Sequence, residues 1–150
     1  MPLDLWTPQI VRSIEDFTTA VTTLRDVTGL SFELDAYSIY RFDYLISFTS
    51  PSLIVGVHFA LGGPTSPKWL AALLTVPVSL SAVAYAVHRG YDEGGPTSGI
   101  DMTQARTPAV IEGMIETGVD SGTLKVRFAS GLAGTTVRVE AGSSGLLYKA

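Results

Sequence analysis

The sequence predicts an all-β fold, a sandwich or barrel of short strands. Three observations carry that expectation. Turn-forming residues punctuate the chain at intervals, 15 of its 150 residues being glycine and 8 proline. The stretches between them are short and rich in Val, Ile, Tyr and Phe, the residue types that fit a pleated surface. Several of those stretches alternate apolar and polar residues with a period of two.

The chain has the size of one domain, which buries about 68–70% of its unfolded surface without staples. Hydrophobic residues make up 46% and charged residues 16%, a balance that excludes a disordered chain. Ten basic residues against 14 acidic ones give a net charge of −4, which argues against a nucleic-acid partner. The absence of cysteine excludes disulfides, thiolate metal sites and thiol nucleophiles.

In chain order, residues 1–13 read as an extended N-terminal arm, and residues 14–150 as a single β-domain. Pro2 and Pro8 discourage a regular element in the arm. The start has neither a basic n-region nor an apolar h-region, so no signal peptide is expected. From Ile10 to Leu24 the apolar residues partly fit a helical spacing. Thr18, Thr19, Thr22 and Thr23 favour strand instead, so strands are expected on either side of a Thr28-Gly29 turn. Strands follow over Ile39–Phe48 and Leu53–Leu61. Trp69 to Val87 is 19 residues without a charge, bounded by Lys68 and His88-Arg89. At about 1.5 Å per residue a helix of that length nearly crosses a hydrocarbon core about 30 Å thick. Pro77 in its middle and the alternation of Val83, Tyr85 and Val87 with alanines favour two strands and a turn. Thr107–Gly118 is read as strand, against a helix opened by Pro108. Leu124, Val126 and Phe128, then Val137 and Val139, alternate with Lys125, Arg127, Arg138 and Glu140, as strands with an apolar inner face and a charged outer one. Residues 89–106 form a polar, glycine-rich loop. Gly-Gly-Pro-Thr-Ser occurs at Gly62–Ser66 and again at Gly94–Ser98, which is shared turn chemistry rather than a repeat.

Tests for chemistry return little. Asp92-Glu93 with Asp101 is the best oxygen-ligand set, but it lacks the order of a calcium loop. His58 reads as a strand histidine and His88 as a strand end. Gly142-Ser143-Ser144-Gly145 has the wrong spacing for a nucleophile elbow. Glu112 and Glu116 share a strand face at about 13 Å, too far apart for a glycosidase pair. Gly94–Gly99 lacks the lysine and following helix of a phosphate loop. No catalytic residue, metal ligand or cofactor is expected, and the chain is read as a non-enzyme.

Several phrases together resemble a family of small tailed-phage virion proteins. They are Thr28-Gly29-Leu30-Ser31-Phe32, Tyr40-Arg41-Phe42, Ile111-Glu112-Gly113, Leu124 with Arg127-Phe128-Ala129-Ser130, and Val139 with Ala141-Gly142-Ser143. The resemblance spans roughly residues 16 to 148. It implies a jelly-roll-like antiparallel β-sandwich with an extended N-terminal arm. It also implies a virion location, as a decoration (cement) protein on the outer surface of a capsid assembled in the host cytoplasm, or as a tail- or fibre-associated module that binds a host receptor. The implied partners are the major capsid protein or other virion subunits, and a second and third copy in a homotrimer; neither nucleic acid nor a membrane is among them. The surplus of apolar residues agrees, because soluble proteins usually bury such surface against partners. The candidate partner-binding residues are Leu3, Leu5, Trp6 and Ile10 in the arm, with Trp69 and Tyr85 in the uncharged run. That run is read either as subunit contact or as sandwich core.

Overall fold

A computed structural model describes residues 7–51, 55–94 and 106–150. The described residues form eleven strands and no helix. They are β1 (Gln9–Arg12), β2 (Phe17–Thr19), β3 (Arg25–Leu34), β4 (Ile39–Thr49), β5 (Val57–Gly62), β6 (Trp69–Pro77), β7 (Val83–His88), β8 (Thr107–Glu116), β9 (Gly122–Ser130), β10 (Val137–Val139) and β11 (Ser144–Lys149). They make two antiparallel sheets. The larger runs β1-β11-β4-β8-β6-β7, with β10 joining β2 to the far end of β4; the smaller runs β3-β9-β5. The chain is therefore an all-β, jelly-roll-like sandwich, as its sequence predicts.

β4 is the spine of the core. Its alternation places Tyr40, Phe42, Tyr44, Ile46 and Phe48 on the inner face, all buried. Phe48 meets Phe59 of β5 edge-on with ring centroids 5.3 Å apart, which locks the two sheets together. The buried Tyr44 hydroxyl donates to the Leu124 carbonyl of β9 at 3.4 Å, and burial pushes its ionisation well above the usual phenol range. The spine has no spare volume on its flanks. A Cβ on Gly113 would lie 2.5 Å from the Ala71 carbonyl oxygen and 2.8 Å from Ala72 Cα, which are backbone atoms that cannot swing away. Gly113→Ala is expected to lower stability by about 1–3 kcal/mol through overpacking, readable as a fall in the urea midpoint at unchanged slope.

Trp69 to Val87, the run long enough to be weighed as a spanning helix, is the hairpin of β6 and β7. Among the described residues no helix is long and apolar enough to cross a membrane. The expected turn at Thr28-Gly29 is corrected. β3 runs straight through it, and the register against β9 shifts between Asp26 and Ser31. Gly29 takes φ +89° there, and a Cβ would meet the Arg12 carbonyl at 3.0 Å, so the glycine serves a bulge and a close approach rather than a reversal. The loose arm is corrected for Gln9–Arg12, which pair with β11 as β1; past Pro8 nothing in Gln-Ile-Val-Arg opposes a strand. Glu140, expected outward with Arg138, is buried just past the end of β10. Its carboxylate accepts from Thr49 Oγ1 and pairs with Arg138 at 3.4 Å and Arg106 at 3.5 Å. Leu53 and Ile54 lie outside the described residues.

Candidate interaction face

The two sheets turn opposite kinds of surface to the outside. On the smaller sheet, Asp26, Glu33, Lys125 and Arg127 point outward, each with a polar partner. Lys125 reaches Asp26 at 2.6 Å, Arg127 reaches Asp26 at 2.9 Å and also pairs with Asp92. Thr123 donates to Glu33 at 2.7 Å. The hydrogen bond from Lys125 holds the Asp26 carboxyl below the usual carboxylate range, and the one to Asp92 raises Arg127. This is a solvated, internally paired face.

The larger sheet differs. Paired residues on neighbouring strands share a face, so the register can be followed across it. One row reads Ile10–Leu146–Asp43–Glu112–Leu73–Val87, and the next Arg12–Ser144–Leu45–Val110–Thr75–Tyr85. On the other side of the first row lie Tyr148, Arg41, Met114 and Ala71, then Ile39, Glu116 and Trp69. These side chains point away from the core. Leu45 is 54% exposed, Met114 44%, Tyr85 66% and Ile10 70%. The face is about 24 Å wide, from five inter-strand spacings of about 4.8 Å. Five of these nineteen residues are charged: Arg12, Arg41, Asp43, Glu112 and Glu116. Arg41 reaches Asp43 at 3.6 Å and lies over the Tyr148 ring at 5.9 Å. Lys68 and the Trp69 indole N–H both donate to Glu116, at 2.6 and 2.7 Å. Those two bonds hold the Glu116 carboxyl below its ordinary range, the one from Lys68 more strongly. A shallow depression of about 320 Å³ opens between Arg41, Met114, Tyr148 and Ala150.

Of the residues expected to bind a partner, Ile10, Trp69 and Tyr85 lie on this one face. Leu3, Leu5 and Trp6 lie outside the described residues. Within the uncharged run, Leu70, Leu74 and Val76 belong to the core, while Trp69, Tyr85 and Val87 face outward. Leu45, Met114, Tyr148 and Leu146, which were not among the expected residues, lie on the same face. On β4 and β8 the outward positions mix apolar residues with Arg41, Asp43, Glu112 and Glu116, so Leu45 and Met114 do not stand out as a patch in the sequence.

The candidate chemical residues are not gathered into a site. Asp92 is engaged by Arg127, and Glu93 accepts from the Arg89 amide at 2.7 Å; Asp101 lies outside the described residues. Among the described residues no group of three His, Asp or Glu side chains is placed to hold a metal. His58 lies on β5, and His88 ends β7 as expected. His88 is 1% exposed, and among the described residues neither ring nitrogen has a hydrogen-bond partner. Burial lowers its pKa from 6.5, although the Glu93 charge opposes the shift. The unfolded chain therefore binds that proton more readily than the folded one. Stability from this group is full above about pH 6.5 and falls as pH drops below it, with partly buried His58 acting in the same direction. Melting temperatures measured from about pH 7.5 down to about 5, across the ordinary His value, should fall more steeply for the native chain than for His88→Leu. Parallel curves would contradict the assignment.

No family model and no curated protein matches the chain. Among solved structures, the chain is similar to the Clostridium thermocellum endo-1,4-β-D-xylanase 10B CBM22-1–GH10 modules, with 9% identity and a TM-score of 0.32 over 94% of this chain and 26% of that one. It is also similar to infectious bursal disease virus, Gt strain (8% identity, TM-score 0.24, 97% of this chain and 42% of that one), and to the VP2 subviral particle of the same virus (10%, 0.24, 95% and 40%). The chain thus spans less than half the length of each. Likeness at this level assigns no function.

Proposed function

We propose that this chain is a structural virion subunit that decorates and stabilises a phage capsid, using the outer face of the larger sheet as its contact surface. The observation that carries the reading is the contrast between the two outer faces. A sandwich needs one buried layer, which Tyr40 to Phe48 and their partners already fill. The larger sheet also turns twelve apolar side chains outward among the nineteen of its four rows, interspersed with Arg12, Arg41, Asp43, Glu112 and Glu116. Leaving their apolar surface in water costs about 25 cal/mol per Å², and an assembly protein recovers that cost by docking. The phage-virion resemblance of the sequence supports the choice of a capsid as the surface it docks on, with the major capsid protein as partner.

The test is to mix the purified chain with phage heads lacking decoration and image the particles. An even lattice of added density over the head, with heads that survive heating better, is the expected result. Density confined to the tail tip would favour the receptor-binding reading instead. No density on any part of the particle would overturn the virion reading.

A further inference from the structure

β7 is the last strand of the larger sheet, and among the described residues it pairs with β6 alone. The hairpin turn fixes which of its backbone groups face outward. The Val78 N–H donates to the Ala82 carbonyl at 2.9 Å. Antiparallel ladders alternate bonded and non-bonded pairs. Counting back from the turn, Pro77↔Val83 is non-bonded, while Val76↔Ala84, Leu74↔Ala86 and Ala72↔His88 are bonded. Pro77, which has no N–H, thus sits where β7 needs none. Carried on across β6, β8, β4 and β11, the same alternation agrees with the Ala150 N–H on the Ile39 carbonyl (2.9 Å) and the Ser13 N–H on the Ser143 carbonyl (2.8 Å). Val83, Tyr85 and Val87 therefore turn both N–H and C=O away from β6, toward the free side.

Natural edge strands are usually blunted by charge, proline or a bulge. The described part of β7, Val-Ala-Tyr-Ala-Val-His, has none of these. The opposite edge of the same sheet, β1, carries Arg12, and on β5 the Leu61 carbonyl is occupied by the Asp92 N–H at 2.9 Å. We infer that β7 is where a second copy of this chain adds, antiparallel, about a two-fold axis at Tyr85. The three outward-facing residues are symmetric about Tyr85, and this register pairs all of them. Tyr85 faces Tyr85 of the partner subunit, and Val83 faces Val87 of the partner subunit, with two backbone bonds at each of the three pairs. Each side-chain pair from Val83 to Val87 is then apolar, and no like charges meet. The two larger sheets become one, and their apolar outer faces lie side by side. This inference stands apart from the virion reading and survives if that reading fails.

The test is the mass of the chain in solution by sedimentation equilibrium at micromolar concentration, with three variants. Tyr85→Pro removes the outward N–H and leaves the bonds to β6 intact, a substitution that an edge strand tolerates. Val83→Lys with Val87→Lys sets lysine against lysine across the axis, whereas Val83→Lys with Val87→Glu sets lysine against glutamate twice. The native chain is expected as a dimer, the proline and double-lysine variants as monomers with an unchanged β-type circular dichroism spectrum, and the lysine–glutamate variant as a dimer again. If the proline variant fails to fold, the two charge variants decide. A native chain that runs as a monomer or a trimer would overturn the inference. So would a proline variant that stays dimeric, or a lysine–glutamate pair that does no better than two lysines.

Discussion

Phe48→Ala is expected to lower the unfolding free energy by about 3–5 kcal/mol, a large part of the roughly 5–15 kcal/mol that holds such a domain together. Phe48 is fully buried, and its ring meets Phe59 across the gap between the sheets. Removing it opens a cavity that neither sheet can close, because each is fixed by its own ladder. The loss includes the transfer of the ring, the cavity it leaves and the edge-on contact. Leu45→Ala, on the same strand but the opposite face, is expected to change stability by less than about 0.5 kcal/mol, as surface substitutions do. Urea unfolding of the pair reads the difference. Equal losses would mean that Leu45 is as much a part of the fold as Phe48, and the two-faced account of β4 would be wrong.

The double variant Leu45→Lys with Met114→Lys is expected to reverse that pattern. Its stability should fall by less than about 1 kcal/mol, since both side chains are exposed and the new ammonium groups fall beside Asp43 and Glu112 in the intervening row, while the one at position 114 lies directly opposite Arg41. Its affinity for phage heads should fall on the order of 100-fold, the scale of losing central contacts in a desolvated interface. Lysines placed instead on the charged face, for example Thr123→Lys, should leave binding unchanged. Co-sedimentation with heads measures both. An unaffected double variant, or a Thr123 variant that loses binding, would move the contact surface to the smaller sheet.

Much of the fold was legible because a half-buried strand shows its period. Lys125 and Arg127 interleaved with Leu124, Val126 and Phe128 place β9 without ambiguity, and Pro77 with the alanine alternation turns a possible spanning helix into a hairpin. Gly29 misled for a physical reason: a glycine at positive φ can serve a bulge as readily as a reversal, and only the register against β9 distinguishes them. Glu140 misled because alternation was continued one residue past the end of β10. Gln9–Arg12 was hidden in a stretch read through its prolines, since a short edge strand takes its stability from the partner that it meets, here β11. The outer face was only partly legible. Trp69 and Tyr85 stood out in an uncharged run, but Leu45 and Met114 are single apolar residues among Arg41, Asp43, Glu112 and Glu116 on the outward sides of β4 and β8. There the sequence marks the core side of each strand, but only the register across β11, β4, β8, β6 and β7 brings the scattered outward apolar residues onto one face.

The most direct test is hydroxyl-radical footprinting of the chain free in solution and bound to phage heads. Met114, Leu45 and Tyr148 should lose most of their reactivity on binding. Tyr37, Val119 and Leu132, which are exposed elsewhere, should keep theirs. Protection that falls on Lys125 and Glu33 while Met114 stays reactive would contradict the assignment of the larger sheet's outer face as the contact surface.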